Sequence, residues 1–160
     1  MKSRCGKKII YGVILAIIIM IAYIMSAFFY QIMLVQGDSM YPSYKNLSMV
    51  ILDKHSKDYE KGDVIAFRTE NIKGMLVKRV VGIPGDKVCI ENGKVYVNNN
   101  PLEYYDGIEY AGLLSEPITL DIGEYLVLGD NLEESIDSRY EEVGIIDDKD
   151  IIGEVCFPRK

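Results

Sequence analysis

A single histidine and three cysteines in 160 residues leave little room for the commonest catalytic and metal-binding chemistries. Zinc needs several His or Cys at close spacing, and Cys5, Cys89 and Cys156 stand far from one another, so no metal site is expected. His55 lies in Asp53-Lys54-His55-Ser56-Lys57-Asp58, a charged and solvated loop, which is a poor place to assemble a Ser-His-Asp triad. Cys89 and Cys156 each sit in an apolar, strand-like run and read as free thiols rather than a bridge. There is no internal repeat and no low-complexity segment. No acidic residue precedes Asp38. Residues 36–160 therefore hold all 24 acidic residues against 14 of the 18 basic ones, a net charge of −10 that suits neither nucleic acid nor anionic lipid.

Charge is also missing from residues 9–35, 27 positions without one ionisable acid or base. A run longer than about 18 apolar residues predicts a membrane-spanning helix. Tyr11 and Phe28-Phe29-Tyr30 stand where interfacial aromatics belong. Lys2, Arg4, Lys7 and Lys8 precede the run, which predicts a cytoplasmic N-terminus and a single pass across the cell membrane. The run far exceeds a signal-peptide core of about 7–15 residues, and no small-x-small site follows it, so an anchor is expected rather than a cleaved leader. The expected organisation is a cytoplasmic segment over 1–8, a transmembrane helix over 9–35 and an extracytoplasmic β-rich domain over 36–160.

Strand signals dominate the last of these. Apolar or β-branched runs occur at Met49–Leu52, Val64–Phe67, Met75–Val81, Tyr125–Leu128 and Ile151–Phe157. Asn92-Gly93 between Val88-Cys89-Ile90 and Val95-Tyr96-Val97 is a strong hairpin signal. Asn98 to Pro101 reads as a loop, and 53–61 as a polar connection. No amphipathic stretch of helical period appears after residue 35, so the fold class is mostly β on one N-terminal helix.

Ser39, in Gly37-Asp38-Ser39-Met40-Tyr41-Pro42, is four residues beyond the uncharged run. A serine hydroxyl needs a base, and with histidine set aside the candidate is a lysine held neutral by burial. In Gly74-Met75-Leu76-Val77-Lys78-Arg79-Val80-Val81-Gly82, strand alternation puts Lys78 on the face of Leu76 and Val80, and Arg79 on that of Val77 and Val81. One of the two points into an apolar layer, and only lysine can lose its proton. Periodicity alone leaves open a lysine that snorkels at a sheet edge.

Four segments carry a resemblance. Gly37–Ser43, Lys61–Phe67, Val77–Asp86 and Gly129-Asp130-Asn131-x-x-x-Ser135-x-Asp137-Ser138-Arg139 are similar, in order, to the sequence boxes of type I signal peptidases. The resemblance implies a mostly-β signal-peptidase fold, shared with self-cleaving repressor proteases. It also implies a membrane-bound serine endopeptidase without metal or cofactor, acting at the outer face of the membrane. Its partners would be the bilayer, signal peptides of exported preproteins with small residues at −1 and −3, and a secretion translocon. Carried over by position, Ser39 is the implied nucleophile and Lys78 the general base. Ser135 orients Lys78, Asp137 and Arg139 form a structural pair, and the backbone N–H of Ser39 serves the oxyanion. Gly37 stands where Gram-negative members place a hydroxyl residue, and Leu132 where the family usually has arginine. Lys87 to Leu128, 42 residues, leaves no room for a large cap domain, so the resemblance is to the short Gram-positive type. A non-catalytic assembly factor with a signal-peptidase fold is the alternative, opposed by the presence of both Ser39 and Lys78.

Overall fold

The computed structural model describes residues 2–159, with no side chain described for 2–7, 9 and 27, so the expectations that rest on Cys5, Lys2, Arg4 and Lys7 lie outside it. The chain opens with helix α1 (Lys2–Phe29), whose apolar side chains are exposed, Ile10 at 58% and Phe28 at 73% among them. Eleven strands follow. A seven-stranded antiparallel sheet contains β1 (Tyr30–Leu34), β2 (Met49–Asp53), β3 (Val64–Phe67), β4 (Leu76–Gly82), β9 (Glu124–Leu128), β10 (Ile146–Asp147) and β11 (Ile151–Phe157). Their order is β1-β2-β11-β3-β4-β9-β10. A four-stranded sheet, ordered β7-β6-β5-β8, is built from β5 (Lys87–Glu91), β6 (Lys94–Val97), β7 (Asn100–Pro101) and β8 (Ile118–Thr119).

The transmembrane helix expected over 9–35 is corrected here. The helix ends at Phe29, and Tyr30–Leu34 pairs with β2, so the uncharged run is divided between a helix and a sheet strand. Among the described residues no helix is long and apolar enough to cross a membrane. The single-pass topology, with its cytoplasmic N-terminus and extracytoplasmic domain, goes with it.

The mostly-β reading holds, and its strands fall close to the expected runs. Asn92 and Gly93 both take positive φ, 50° and 77°, and close the β5–β6 hairpin as Asn-Gly should. Asn98 and Asn99 form a similar turn, so Asn100–Pro101 is a short edge strand rather than loop. The two-residue strands β8 and β10 carry too little pattern to be seen in sequence. Cys89 and Cys156 are free and half-buried.

Alternation along β4 divides the core. Val77 joins Val35, Met40, Val50, Leu52 and Val155 on one face, whereas Val80 joins Ile65, Phe67, Val127 and Ile146 on the other. The register slips between Val80 and Gly82, turning Val81 into a third cluster with Val88, Val95 and Leu126 that joins the two sheets. Gly82 is needed at that junction. A Cβ there would lie 2.8 Å from both Leu120 Cδ1 and Val88 Cγ2, closer than packed carbons approach.

Candidate functional site

Three segments meet at one end of β4. The first is the turn after β1, which carries Ser39 and is anchored by Met40, fully buried in the core. The second is β4 itself, where Lys78 pairs with Ile65 of β3 and is 3% exposed. The third is the loop after β9, from Gly129 to Arg139. Lys78 Nζ donates to Ser39 Oγ at 2.6 Å. Burial pushes the Lys78 amine down from its ordinary 10.5 to about 8. The carboxylates of Asp137 and Asp130 pull it back up, and the Arg139 guanidinium lowers it further. An amine of that kind can exchange a proton with a bound hydroxyl near neutral pH, which a solvated lysine cannot.

The loop that closes the site is held by ion pairs removed from water. Asp137, wholly buried, receives Arg139 Nε at 2.8 Å and the Gly129 N–H at 3.0 Å. Arg139 Nη2 also donates to the carbonyls of Leu132 and Ser135. Both Asp137 oxygens and Arg139 Nε and Nη2 thus have partners, which offsets the desolvation of the pair. Leu132 supplies that carbonyl and packs on the inter-sheet core.

A second ion pair lies beside the first. Arg79 binds Asp130 through two hydrogen bonds, 2.8 and 2.6 Å, and donates to Ser43 Oγ and the Gly62 carbonyl. Lys78 is buried on one face of the strand, and Arg79 is half-buried on the other. Asn131 fastens the nucleophile turn. Its N–H donates to the Ser39 carbonyl at 3.0 Å and its side-chain amide to that of Asp38 at 3.1 Å. Gly129 makes the close approach possible, since a Cβ there would strike Ser135 Oγ and stand 2.6 Å from the Ser39 carbonyl oxygen. The Gly-Asp-Asn run was the sequence signal for all of this, but it does not reveal its partners.

Ser135 is 3% exposed and its hydroxyl has no hydrogen-bond partner among the described residues. The Lys78 amine is bonded to Ser39 instead. The Ser39 N–H also has no acceptor among the described residues. Gly37 sits at φ +85°, a conformation that disfavours a residue with a side chain there. His55 is exposed and packs edge-to-face on Phe29 at the helix–sheet junction. No group of residues able to hold a metal occurs among the described residues.

A cleft of about 220 Å³ leads to the pair, lined by Met33, Val35, Met75 and Val77 beside Ser39 and Lys78. Leu76–Lys78 lies beyond the end of the β9 pairing, and β1 is the edge strand of its sheet, so two unpaired backbone edges meet at this cleft. A larger cavity of about 490 Å³ near Arg79 and Tyr105 contains neither Ser39 nor Lys78.

A hydroxyl and a buried amine thus stand in contact at the open edge of a β-sheet, where an extended chain could add as a further strand. Comparison with known proteins gives the family. The profile described as signal peptidase, peptidase S26, matches residues 8–159, and the chain belongs to that family. It is 32% identical over 161 residues to signal peptidase I U of Bacillus subtilis (strain 168), covering 92% of this chain and 86% of that one. Signal peptidase IB of Staphylococcus aureus (strain Mu50 / ATCC 700699) is 33% identical over 164 residues, covering 89% and 84%. The crystal structure of a signal peptidase I from Enterococcus faecalis V583 superposes with a TM-score of 0.50 at 26% identity, over 61% of this chain and 97% of that one. The general activity of this chain is thus that of a signal-peptidase-like serine endopeptidase.

Proposed function

We propose that this chain cleaves signal peptides from exported preproteins with Ser39 as nucleophile and Lys78 as general base. The observation that carries the reading is the 2.6 Å hydrogen bond from a buried amine to a half-buried serine hydroxyl. Neutral Lys78 takes the Ser39 proton as Oγ bonds to the scissile carbonyl carbon. Collapse of the tetrahedral intermediate breaks the C–N bond, and the Lys78 ammonium returns its proton to the departing amine. Water then loses a proton to Lys78 and attacks the acyl-enzyme, and as the ester C–O bond breaks Lys78 returns that proton to Ser39 Oγ.

The unpartnered N–H of Ser39 is the donor for the oxyanion, worth about 3–4 kcal/mol of transition-state stabilisation where such a donor has been removed. Ser135 Oγ, buried and unpartnered, is suited to take up and orient the amine once substrate engages Ser39. Asp137 and Arg139 keep the loop in place. The narrow cleft and its two free strand edges suit an extended peptide with small residues at −1 and −3.

The test is cleavage of a purified preprotein by Ser39→Ala and Lys78→Ala. Both variants should fold, by circular dichroism, and neither should release mature product. Cleavage retained by either removes that residue from the mechanism.

A further inference from the structure

The methionines of this chain differ sharply in surroundings. Met20, Met25 and Met49 are open to solvent, at 54%, 51% and 63%, whereas Met40 is wholly buried. Met33 and Met75 are half-buried, and both line the cleft of about 220 Å³ that holds Ser39 and Lys78. They pack on the cluster of Val35, Met40 and Val77, so their side chains belong to the apolar wall beside the nucleophile turn. The cleft lining contains no cysteine, histidine or tyrosine. Cys89 and Cys156 lie elsewhere, on β5 and β11. The two thioethers are therefore the oxidisable groups of the substrate cleft.

A hydroperoxide can reach them, because the cleft volume is several times the roughly 30 Å³ that a water molecule occupies. With hydrogen peroxide, the sulfur lone pair attacks one peroxide oxygen, and an S–O bond forms as the O–O bond breaks. The departing hydroxide takes the proton of the transferred oxygen and leaves as water. The thioether is oxidised by two electrons to a sulfoxide, and the peroxide is reduced to water. A flexible apolar side chain thereby becomes a polar, chiral one. In this wall the new dipole faces the small apolar side chains of the substrate, which offer it no hydrogen bond.

We propose that Met33 and Met75 form an oxidation site that closes the cleft to substrate under peroxide and reopens it when the sulfoxides are reduced. This rests on the peptidase reading above and adds to it a control of the same cleft. The modification acts on substrate binding and takes no part in the bond-breaking steps.

The full chain is treated with hydrogen peroxide for increasing times. Cleavage of a signal-peptide substrate is followed beside the oxygen added to each methionine, read by peptide mass spectrometry. kcat/KM should fall about tenfold, mainly through KM, in step with oxidation of Met33 and Met75 and not of Met20, Met25 or Met49. Methionine sulfoxide reductases with a thiol reductant should restore it. The ratio of treated to untreated rate, taken within each protein, should rise towards one in Met33→Leu/Met75→Leu and stay low in Cys89→Ser/Cys156→Ser. A loss that follows the exposed methionines, survives in the leucine pair or vanishes in the serine pair overturns the inference. So does full activity with both cleft methionines oxidised, or their resistance to peroxide. If the leucine pair does not fold, the time course and the reductase rescue of the unaltered sequence decide between these outcomes. Failure of the untreated chain to cleave overturns the peptidase reading itself, before any peroxide is added.

Discussion

Replacing Lys78 by methionine should end cleavage and make the fold more stable at neutral pH. The amine is 3% exposed, and burial lowers it from 10.5 to about 8. The sign follows from counting protons. Below about pH 8 the folded and unfolded chains both carry the charge, and the folded one bears the full cost of burying it. Between about 8 and 10.5 the unfolded chain binds a proton that the folded chain lacks, so wild-type stability rises with pH across that window. Above it the cost is gone. The gap corresponds to about 3 kcal/mol, at roughly 1.4 kcal/mol for each pH unit. Methionine has similar length, no charge and enough flexibility to fill the same space. The stability advantage of Lys78→Met should therefore shrink by about 3 kcal/mol between pH 7 and pH 10.5. Urea unfolding of both chains over that range measures it directly, since groups common to both cancel. A difference that stays constant with pH would refute the reasoning, because it would mean that the buried amine titrates as it does in the unfolded chain.

Three other substitutions test the surroundings of the pair. Gly129→Ala places a methyl group against Ser135 Oγ and 2.6 Å from the Ser39 carbonyl oxygen. It should lower kcat at least about 100-fold through misplacement of the nucleophile, as displacements of about 1 Å do elsewhere. Asp130→Ala leaves Arg79 without its two-bonded carboxylate and should cost about 3 kcal/mol in urea unfolding. Ser135→Ala removes a buried hydroxyl that has no partner, so unfolding should show a gain of about 1 kcal/mol while turnover falls, the two effects having opposite sign.

The sequence carried the strands well because each is a short apolar run bounded by Gly, Asp or Asn, as at Val64–Phe67 and around Asn92-Gly93. It pointed to a candidate site because four boxes between Gly37 and Arg139 keep their order. What it could not carry is partnership across space. Arg79 and Asp130 are 51 residues apart, and nothing local says that one guanidinium joins Asp130 to Ser43 and Gly62. Asn131 is similarly tied to Ser39 by backbone bonds that leave no trace in residue type. The uncharged run misled because hydropathy does not mark where a helix stops. Tyr30–Leu34 alternates in exposure and pairs with β2, although its residues continue the apolar run without a break. Ser135 shows a further limit: its position in the fourth box implied a bond to Lys78, whereas the amine is bonded to Ser39.

The titration of the Lys78 amine itself tests the account most directly. With lysine side chains labelled with ¹⁵N, the Nζ resonance that disappears in Lys78→Met can be followed from pH 6 to pH 11. A midpoint near 8 is the predicted result. A midpoint near 10.5 would show a charged ammonium at working pH, and Lys78 could not then serve as the base for Ser39.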